Sequence, residues 1–148
     1  MSPTSGYSGT PLVKKLGIKP GNRVLTFGRP DHYLDLLVDL PDDVTLLQED
    51  DEAEHEIEFI HVFAVEEHVL DVHFRRLKER MHLDGMIWIS WPKKASKVPT
   101  DLSDAVVRSM GLSIGLVDTK VCAVDAVWSG LKFMYRKEDR KRLRKERA

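Results

Sequence analysis

"RVLTFGRPDHYLDLL", residues 23–37, reads as a strand, a single glycine and a helix. The β-branched and apolar run "RVLTF" predicts a buried strand, and "DHYLDLLVDL" has the apolar spacing of a helix over residues 31–40. Many nucleotide-binding α/β folds begin in this order. Here only Gly28 stands in the turn, and Arg29 and Pro30 follow it where further glycines would let a ligand approach the backbone. The stretch therefore predicts the frame of a cofactor site with a reduced turn.

Composition indicates one compact domain in a reducing compartment. The chain has 148 residues, of which 42% are hydrophobic and 32% are charged. It contains no apolar run long enough to span a membrane and no signal-peptide pattern at its start, and its single cysteine, Cys122, cannot form an internal disulfide. We therefore expect a cytoplasmic protein that does not bind membranes.

Charge divides the chain into a body and a tail. Residues 136–148 contain eight basic and three acidic residues, which leaves the body, residues 1–135, net acidic in a chain of net charge −1. We expect a single α/β domain over 1–135, followed by a basic tail that is a frayed helix or disordered. Seven acids in residues 49–58 predict a solvated loop. An acidic body disfavours nucleic-acid binding, except weakly through the tail.

The later segments continue the alternation of strands and helices. The patterns predict strands at 57–65 and 86–91, helices at 66–81 and 100–111, a turn at 83–85, and two final strands at 115–124 and 128–136. The last two strands are joined so closely that they must form an antiparallel hairpin. This order predicts a three-layer, Rossmann-like α/β fold whose sheet is mostly parallel.

Three motifs resemble a bacterial family known as domain of unknown function 3052 (DUF3052). They are "GYSGTPLVKKLGI" at 6–18, "WISWPKK…TDL" between 88 and 102, and "GLVDTKVCAVDAVWSGLKF" at 115–133. The resemblance covers about residues 6 to 135. The resemblance implies a small bacterial cytosolic protein, and it does not indicate which residues, if any, are catalytic.

The order of elements is also similar to that of class I S-adenosylmethionine-dependent methyltransferases. "MHLDGMIWISW", residues 81–91, occupies the place of a helix–turn–strand unit in that fold, and the final hairpin matches its last two strands. The chain is short for the full pattern, since no clear third strand and helix precede residue 57. Under this resemblance Gly28 would approach the methionine part of the cofactor. Glu49, 21 residues later, would bind the ribose hydroxyls.

The loop "SWPKKASKVPTDL", residues 90–102, is a second candidate site. It follows a buried strand at the edge where open α/β sheets bind ligands. Three lysines, together with the free amides of a helix capped by Thr100, could hold a phosphate or a carboxylate. The candidate residues in this loop are Trp91, Lys93, Lys94, Lys97, Thr100 and Asp101. Trp128 could approach Trp91 and form an aromatic wall, and the alternative is a solvated loop in which Thr100 and Asp101 only cap the helix.

Other chemistry is weakly indicated. His68 and His73 are five residues apart, so they face different sides of the predicted helix, and we expect no metal site. Cys122 is interpreted as a small core residue, and no catalytic residue is assigned. The sequence favours a non-catalytic module, without a cofactor, that binds a small anionic ligand or a protein partner. The alternative is a methyltransferase with a degenerate S-adenosylmethionine loop.

Overall fold

The computed structural model describes residues 11–49 and 56–148. Its elements are α1 (Leu12–Leu16), β1 (Arg23–Phe27), α2 (Tyr33–Leu36), β2 (Thr45–Leu47), β3 (Ile57–Phe63), α3 (Glu67–Lys78), β4 (Met81–Pro92), a 3₁₀ turn (Lys94–Ser96), α4 (Asp104–Ser113), β5 (Leu116–Ala123), β6 (Trp128–Tyr135) and α5 (Lys137–Glu146). Most of the predicted acidic loop and the segment before residue 11 lie outside the described residues.

The six strands form one mixed sheet in the order β2-β1-β3-β4-β6-β5. The first four strands in this order are parallel to one another, and β6 is antiparallel to both of its neighbours. The predicted α/β class, with a mostly parallel sheet and a final antiparallel hairpin, is confirmed.

Two hydrophobic clusters cover the two faces of the sheet and make the fold three-layered. The first cluster contains Leu70, Phe74 and Leu77 of α3 and Val107 of α4. The second contains Val13 and Leu16 of α1 together with Tyr33 at the start of α2. On β4, neighbouring residues enter opposite clusters, Ile87 and Ile89 the first and Trp88 the second, as the pleat of a strand requires.

α2 is much shorter than predicted. The helix expected over 31–40 is confined to Tyr33–Leu36. Leu37 leaves the helical region with φ −97° and ψ 54°, and Asp39 adopts a left-handed conformation with φ 61°. Tyr33 and Leu37 are buried, in agreement with the apolar pattern, but Leu34 is 41% exposed. The spacing was right for Tyr33 and Leu37, whereas the predicted length of the helix was wrong.

β4 is longer than predicted, because the turn expected at 83–85 is part of the strand. Leu83 is buried, and the chain passes Gly85 so close to β3 that an added Cβ would lie 2.8 Å from the carbonyl oxygen of Glu58. Glycine is therefore needed here for a close approach of two strands, beside the irregular register between Ile57 and Phe59.

The basic tail forms a helix that is anchored to the body. Leu143 of α5 packs against the first hydrophobic cluster. The Arg144 guanidinium donates a hydrogen bond to the Asp84 carboxylate at 3.2 Å. Weak nucleic-acid binding through this segment stays a prediction.

None of the helices in the described part of the chain has the length and apolar content that crossing a membrane requires.

Candidate functional site at the carboxyl edge of the sheet

The switch point of the sheet lies between β1 and β3. From β1 the chain moves to β2 on one side and then returns to β3 on the other, so the connections leave these neighbouring strands in opposite directions. Open α/β sheets bind ligands in the crevice outside the carboxyl ends of such strands. Gly28 follows β1 and Ala64 follows β3 at this edge.

Gly28 and Glu49, the two residues predicted from the methyltransferase resemblance, lie together at this edge. The Gly28 N–H donates a hydrogen bond to Oε2 of Glu49, with a nitrogen–oxygen distance of 3.4 Å. Glu49 is exposed and comes two residues after β2 ends. The carboxylate is thus positioned where a ribose would be recognised in a dinucleotide-type fold.

The Gly28 turn also packs tightly against β3. Gly28 has φ +69°, and an added Cβ would lie only 2.5 Å from the carbonyl oxygen of Phe63. Pro30, two residues later, has no N–H to offer a ligand. Glycine at this position therefore has a structural reason of its own, and the turn offers fewer backbone donors than a glycine-rich loop.

An aromatic and cationic group that the sequence did not reveal borders the Gly28 turn. The rings of Phe27 and His73 have centroids 3.9 Å apart, and the Arg76 guanidinium lies 5.8 Å from the Phe27 ring centre. Burial and the charge of Arg76 lower the pKa of His73, against the opposing effect of Glu49. The sequence could have indicated this group through the spacing of His73 and Arg76, which are three residues apart on α3 and therefore lie on one face of the helix.

In the lysine loop, residues 90–102, the side chains of Thr100 and Asp101 bind the segment between β3 and α3. The Thr100 hydroxyl donates to the Val65 carbonyl at 2.6 Å, and Asp101 Oδ1 accepts from the Glu67 N–H, at the start of α3, at 2.7 Å. Thr100 is not the cap of the following helix. α4 begins at Asp104, and its cap is Ser103, whose hydroxyl oxygen accepts from the Val106 N–H.

The lysines of this loop lie at the same carboxyl edge as Gly28, after β4. Lys94 and Lys97 are exposed, and Lys97 has a left-handed backbone with φ 61°. The backbone N–H of Lys93 donates to the Val127 carbonyl of the β5–β6 loop at 2.7 Å. Binding of an anion by these lysines stays a prediction.

The two tryptophans do not form the expected aromatic wall. Trp91 is 5% exposed and belongs to the cluster under α3 and α4, whereas Trp128 packs against the cluster on the other face. β4 and β6 are indeed neighbours, but Trp128 pairs with Pro92 rather than Trp91, and the pleat directs adjacent residues to opposite faces. Trp128 instead meets the Phe63 ring edge to face, at 5.1 Å between centroids.

Two histidines make contacts that only the folded chain shows. His61 is fully buried between the Tyr33 hydroxyl, at 2.9 Å, and the Ser90 hydroxyl, at 2.8 Å. His32 lies near the Gly28 turn, and its Nε2 is 2.8 Å from Oδ2 of Asp125. His61 is therefore an interior residue whose two ring nitrogens both have partners. The His32–Asp125 pair joins residues 93 positions apart, so no local pattern could have found it.

The remaining sulfur and metal-ligand candidates add no reactive centre. Cys122 is buried in the second cluster, and burial raises the pKa of its thiol, so the core interpretation is confirmed. Within residues 11–49 and 56–148, no group of three or more His, Cys, Asp or Glu side chains is arranged to hold a metal ion.

The six-stranded α/β sheet matches a methyltransferase-like Rossmann fold. A methyltransferase from Aquifex aeolicus that depends on S-adenosylmethionine aligns with a TM-score of 0.64 and 17% identity over 84% of this chain and 88% of its own. The magnesium protoporphyrin IX methyltransferase of Synechocystis, with bound S-adenosylhomocysteine, aligns with a TM-score of 0.55 and 11% identity over 84% of this chain and 78% of its own.

A third similar structure is the 1,6-didemethyltoxoflavin-N1-methyltransferase of Burkholderia thailandensis, with a TM-score of 0.56 and 10% identity over 85% of this chain and 75% of its own. No family model and no curated protein matches the sequence. These identities are low, so the likeness establishes the fold alone. The resemblance to DUF3052, and with it a bacterial origin, stays a prediction.

Proposed function

We propose that this protein binds S-adenosylmethionine at the Gly28–Glu49 crevice and acts as a methyltransferase. One observation supports this most directly: the Glu49 carboxylate lies 3.4 Å from the Gly28 N–H at the switch point of the sheet. The fold comparisons support the same cofactor class, because the similar proteins include one with bound S-adenosylhomocysteine. This function was the alternative in the sequence analysis, and it now has the better support.

The residues at the crevice fit part of the cofactor well. A carboxylate at the end of β2 is suited to accept hydrogen bonds from two ribose hydroxyls. The His73 and Arg76 side chains lie beside Phe27, the residue that directly precedes Gly28. S-adenosylmethionine supplies a methyl group on a sulfonium, so the main task of the protein is to place an acceptor beside that group.

A non-catalytic role is the second candidate, supported by the reduced Gly28 turn. The turn has one glycine, packs closely against Phe63, and is followed by a helix of four residues. In this case Lys93, Lys94 and Lys97 of the lysine loop would bind a small anion or a protein partner. For both candidate functions, the cytoplasmic location is a prediction from the amino-acid composition.

Calorimetric titration with S-adenosylmethionine and S-adenosylhomocysteine separates the two candidates. We expect binding by the wild type and about tenfold weaker binding by Glu49→Gln, equivalent to about 1.4 kcal/mol. Gln keeps the shape of the side chain but removes the charge. The matched control is Glu138→Gln, because Glu138 is exposed and lies on α5, which follows the end of β6 at the opposite edge of the sheet.

A paired Lys93→Ala/Lys94→Ala variant tests the second candidate in the same titration. The proposed function predicts cofactor binding close to that of the wild type in this variant. Absence of binding to the wild type, or equal affinity of wild type and Glu49→Gln, would overturn the cofactor site. Phosphate binding that is lost only in the lysine variant would then favour the non-catalytic module.

A further inference from the structure

The pairing of His32 with Asp125 combines an accessible imidazole with a fixed carboxylate. Nε2 of His32 lies 2.8 Å from Oδ2 of Asp125. The His32 side chain is 49% exposed, whereas that of Asp125 is 10% exposed. An accessible base held by a buried acceptor is the arrangement that orients a histidine for proton transfer.

Asp125 is held by the backbone of its own loop. Its Oδ1 accepts hydrogen bonds from the N–H groups of Val127 and Trp128, both at 2.8 Å, which leaves Oδ2 for His32. Burial alone would raise the pKa of Asp125, but the hydrogen bonds from Trp128, His32 and Val127 outweigh it, and the net pKa is lowered. The carboxylate therefore stays ionised and only accepts hydrogen bonds near neutral pH.

This carboxylate determines which nitrogen of the neutral His32 ring carries hydrogen. An ionised carboxylate has no proton to donate, so Nε2 must be the donor in the 2.8 Å contact. Nδ1 is then the nitrogen with a free lone pair. Among the described residues, the structure gives His32 Nδ1 no hydrogen-bond partner, and half of the side chain faces solvent.

The pair lies at the same edge of the sheet as the proposed cofactor crevice. His32 is four residues after Gly28 and directly precedes α2. Asp125 is in the β5–β6 loop, next to Trp128, which pairs with Pro92 at the carboxyl end of β4. His61, by contrast, is buried and fully enclosed between Tyr33 and Ser90, so no substrate can reach it.

We propose that His32 is the proton acceptor for the methyl acceptor, and that Asp125 is its positioning residue. This inference rests on the proposed function and adds the class of acceptor: a hydroxyl, amine or thiol group that must lose a proton. An acceptor without such a proton, such as a thioether or a tertiary amine, would have no use for this base.

The proposed step balances without a further reactant. The bond between the acceptor heteroatom and its hydrogen breaks, and the proton passes to Nδ1 of His32. The electron pair of that bond forms the new bond to the methyl carbon, and the sulfonium sulfur keeps the electron pair of the bond that is lost. Asp125 stabilises the imidazolium, which then releases its proton to water.

The reactivity of His32 toward a neutral alkylating reagent tests the base directly, with no acceptor or cofactor needed. The full-length protein is treated with bromoacetamide at mildly alkaline pH, and peptide mass spectrometry measures the modification rate at each histidine. His68 is the internal control, because its side chain is 77% exposed and the reagent reaches it more easily. We expect His32 to react about tenfold faster than His68, because the carboxylate that fixes His32 is buried and close, whereas the Glu66 carboxylate beside His68 is 58% exposed and 3.6 Å away.

Asp125→Asn supplies the second arm of the test. The Asn carbonyl oxygen can still accept from Val127 and Trp128, but it no longer carries the charge that holds the Nε2 proton. We expect the preference for His32 to disappear in this variant. If Asp125→Asn does not fold, the ratio of His32 to His68 in the wild type decides alone.

Equal or slower modification of His32 in the wild type would overturn the proposal, as would an unchanged preference in Asp125→Asn. Either result would leave the pair as a structural tie between two loops. Because the reaction is run without cofactor, its failure is distinguishable from failure of the proposed function, which the calorimetric titration measures.

Discussion

Replacing Gly28 with alanine should destabilise the protein more than the same change at Gly21, although both glycines have a left-handed backbone conformation. φ is +69° at Gly28 and +79° at Gly21. At either position the alanine costs about 1–2 kcal/mol from its backbone conformation. At Gly28 the added Cβ would also lie 2.5 Å from the Phe63 carbonyl oxygen, whereas nothing lies within 4 Å of it at Gly21.

The close contact sets the difference between the two variants. Carbon and oxygen cannot remain so near, so the turn or the end of β3 must move, and forced contacts of this kind cost about 1–3 kcal/mol. We therefore expect Gly28→Ala to lower the free energy of unfolding by about 2–5 kcal/mol. Gly21→Ala should lower it by about 1–2 kcal/mol.

Urea denaturation followed by tryptophan fluorescence and circular dichroism measures both values. Coincident transitions with unchanged slopes would allow the two free energies to be compared directly. Equal losses in the two variants would show instead that the Gly28 turn does not rest on β3.

Three further predictions concern buried or capping groups. Burial lowers the pKa of His61 to about 3 from its ordinary 6.5. Between these two pH values the unfolded chain binds a proton at His61 and the folded chain does not, so the free energy of unfolding should fall as the pH drops from about 6.5 to 3, by up to about 1.4 kcal/mol per pH unit. Urea denaturation at several pH values in this range should show that the free energy of unfolding depends less on pH in His61→Gln than in the wild type. An unchanged pH dependence would contradict the burial of a neutral His61 ring. Cys122, whose thiol pKa is raised by burial, should react with a disulfide reagent only in denaturant, so rapid reaction of the native protein would be inconsistent with its place in the core. Ser103→Ala should lower the free energy of unfolding by about 1 kcal/mol because it removes the cap of α4, and an unaltered thermal midpoint would argue against that cap.

The architecture could be predicted because its signals are local. A short link between two long strands allows only a hairpin, and the alternation of strands and helices predicts a largely parallel sheet. Lengths were harder to predict. In the sequence Gly85 looks like the glycine of a turn, but in the fold it allows β4 to pass close to β3. That close approach depends on β3, which lies far from Gly85 in the sequence.

The site was predictable only in part, for the same reason. Gly28 and Glu49 follow strands of known order, so their meeting could be expected. Thr100 and Ser103 are both good capping residues, and only their contacts show which one caps α4: Thr100 donates to Val65, whereas Ser103 accepts from the Val106 N–H. The pairs that join distant segments, such as His32 with Asp125, have no signature within any window of sequence.

Nuclear magnetic resonance of the labelled protein can show whether the crevice beside Gly28 binds S-adenosylmethionine. S-adenosylhomocysteine would be titrated while the backbone amide signals are followed. If the cofactor binds there, we expect saturable shifts centred on Gly28, Glu49 and Ala64. No shifts at saturating ligand, or shifts confined to Lys94–Lys97, would contradict it.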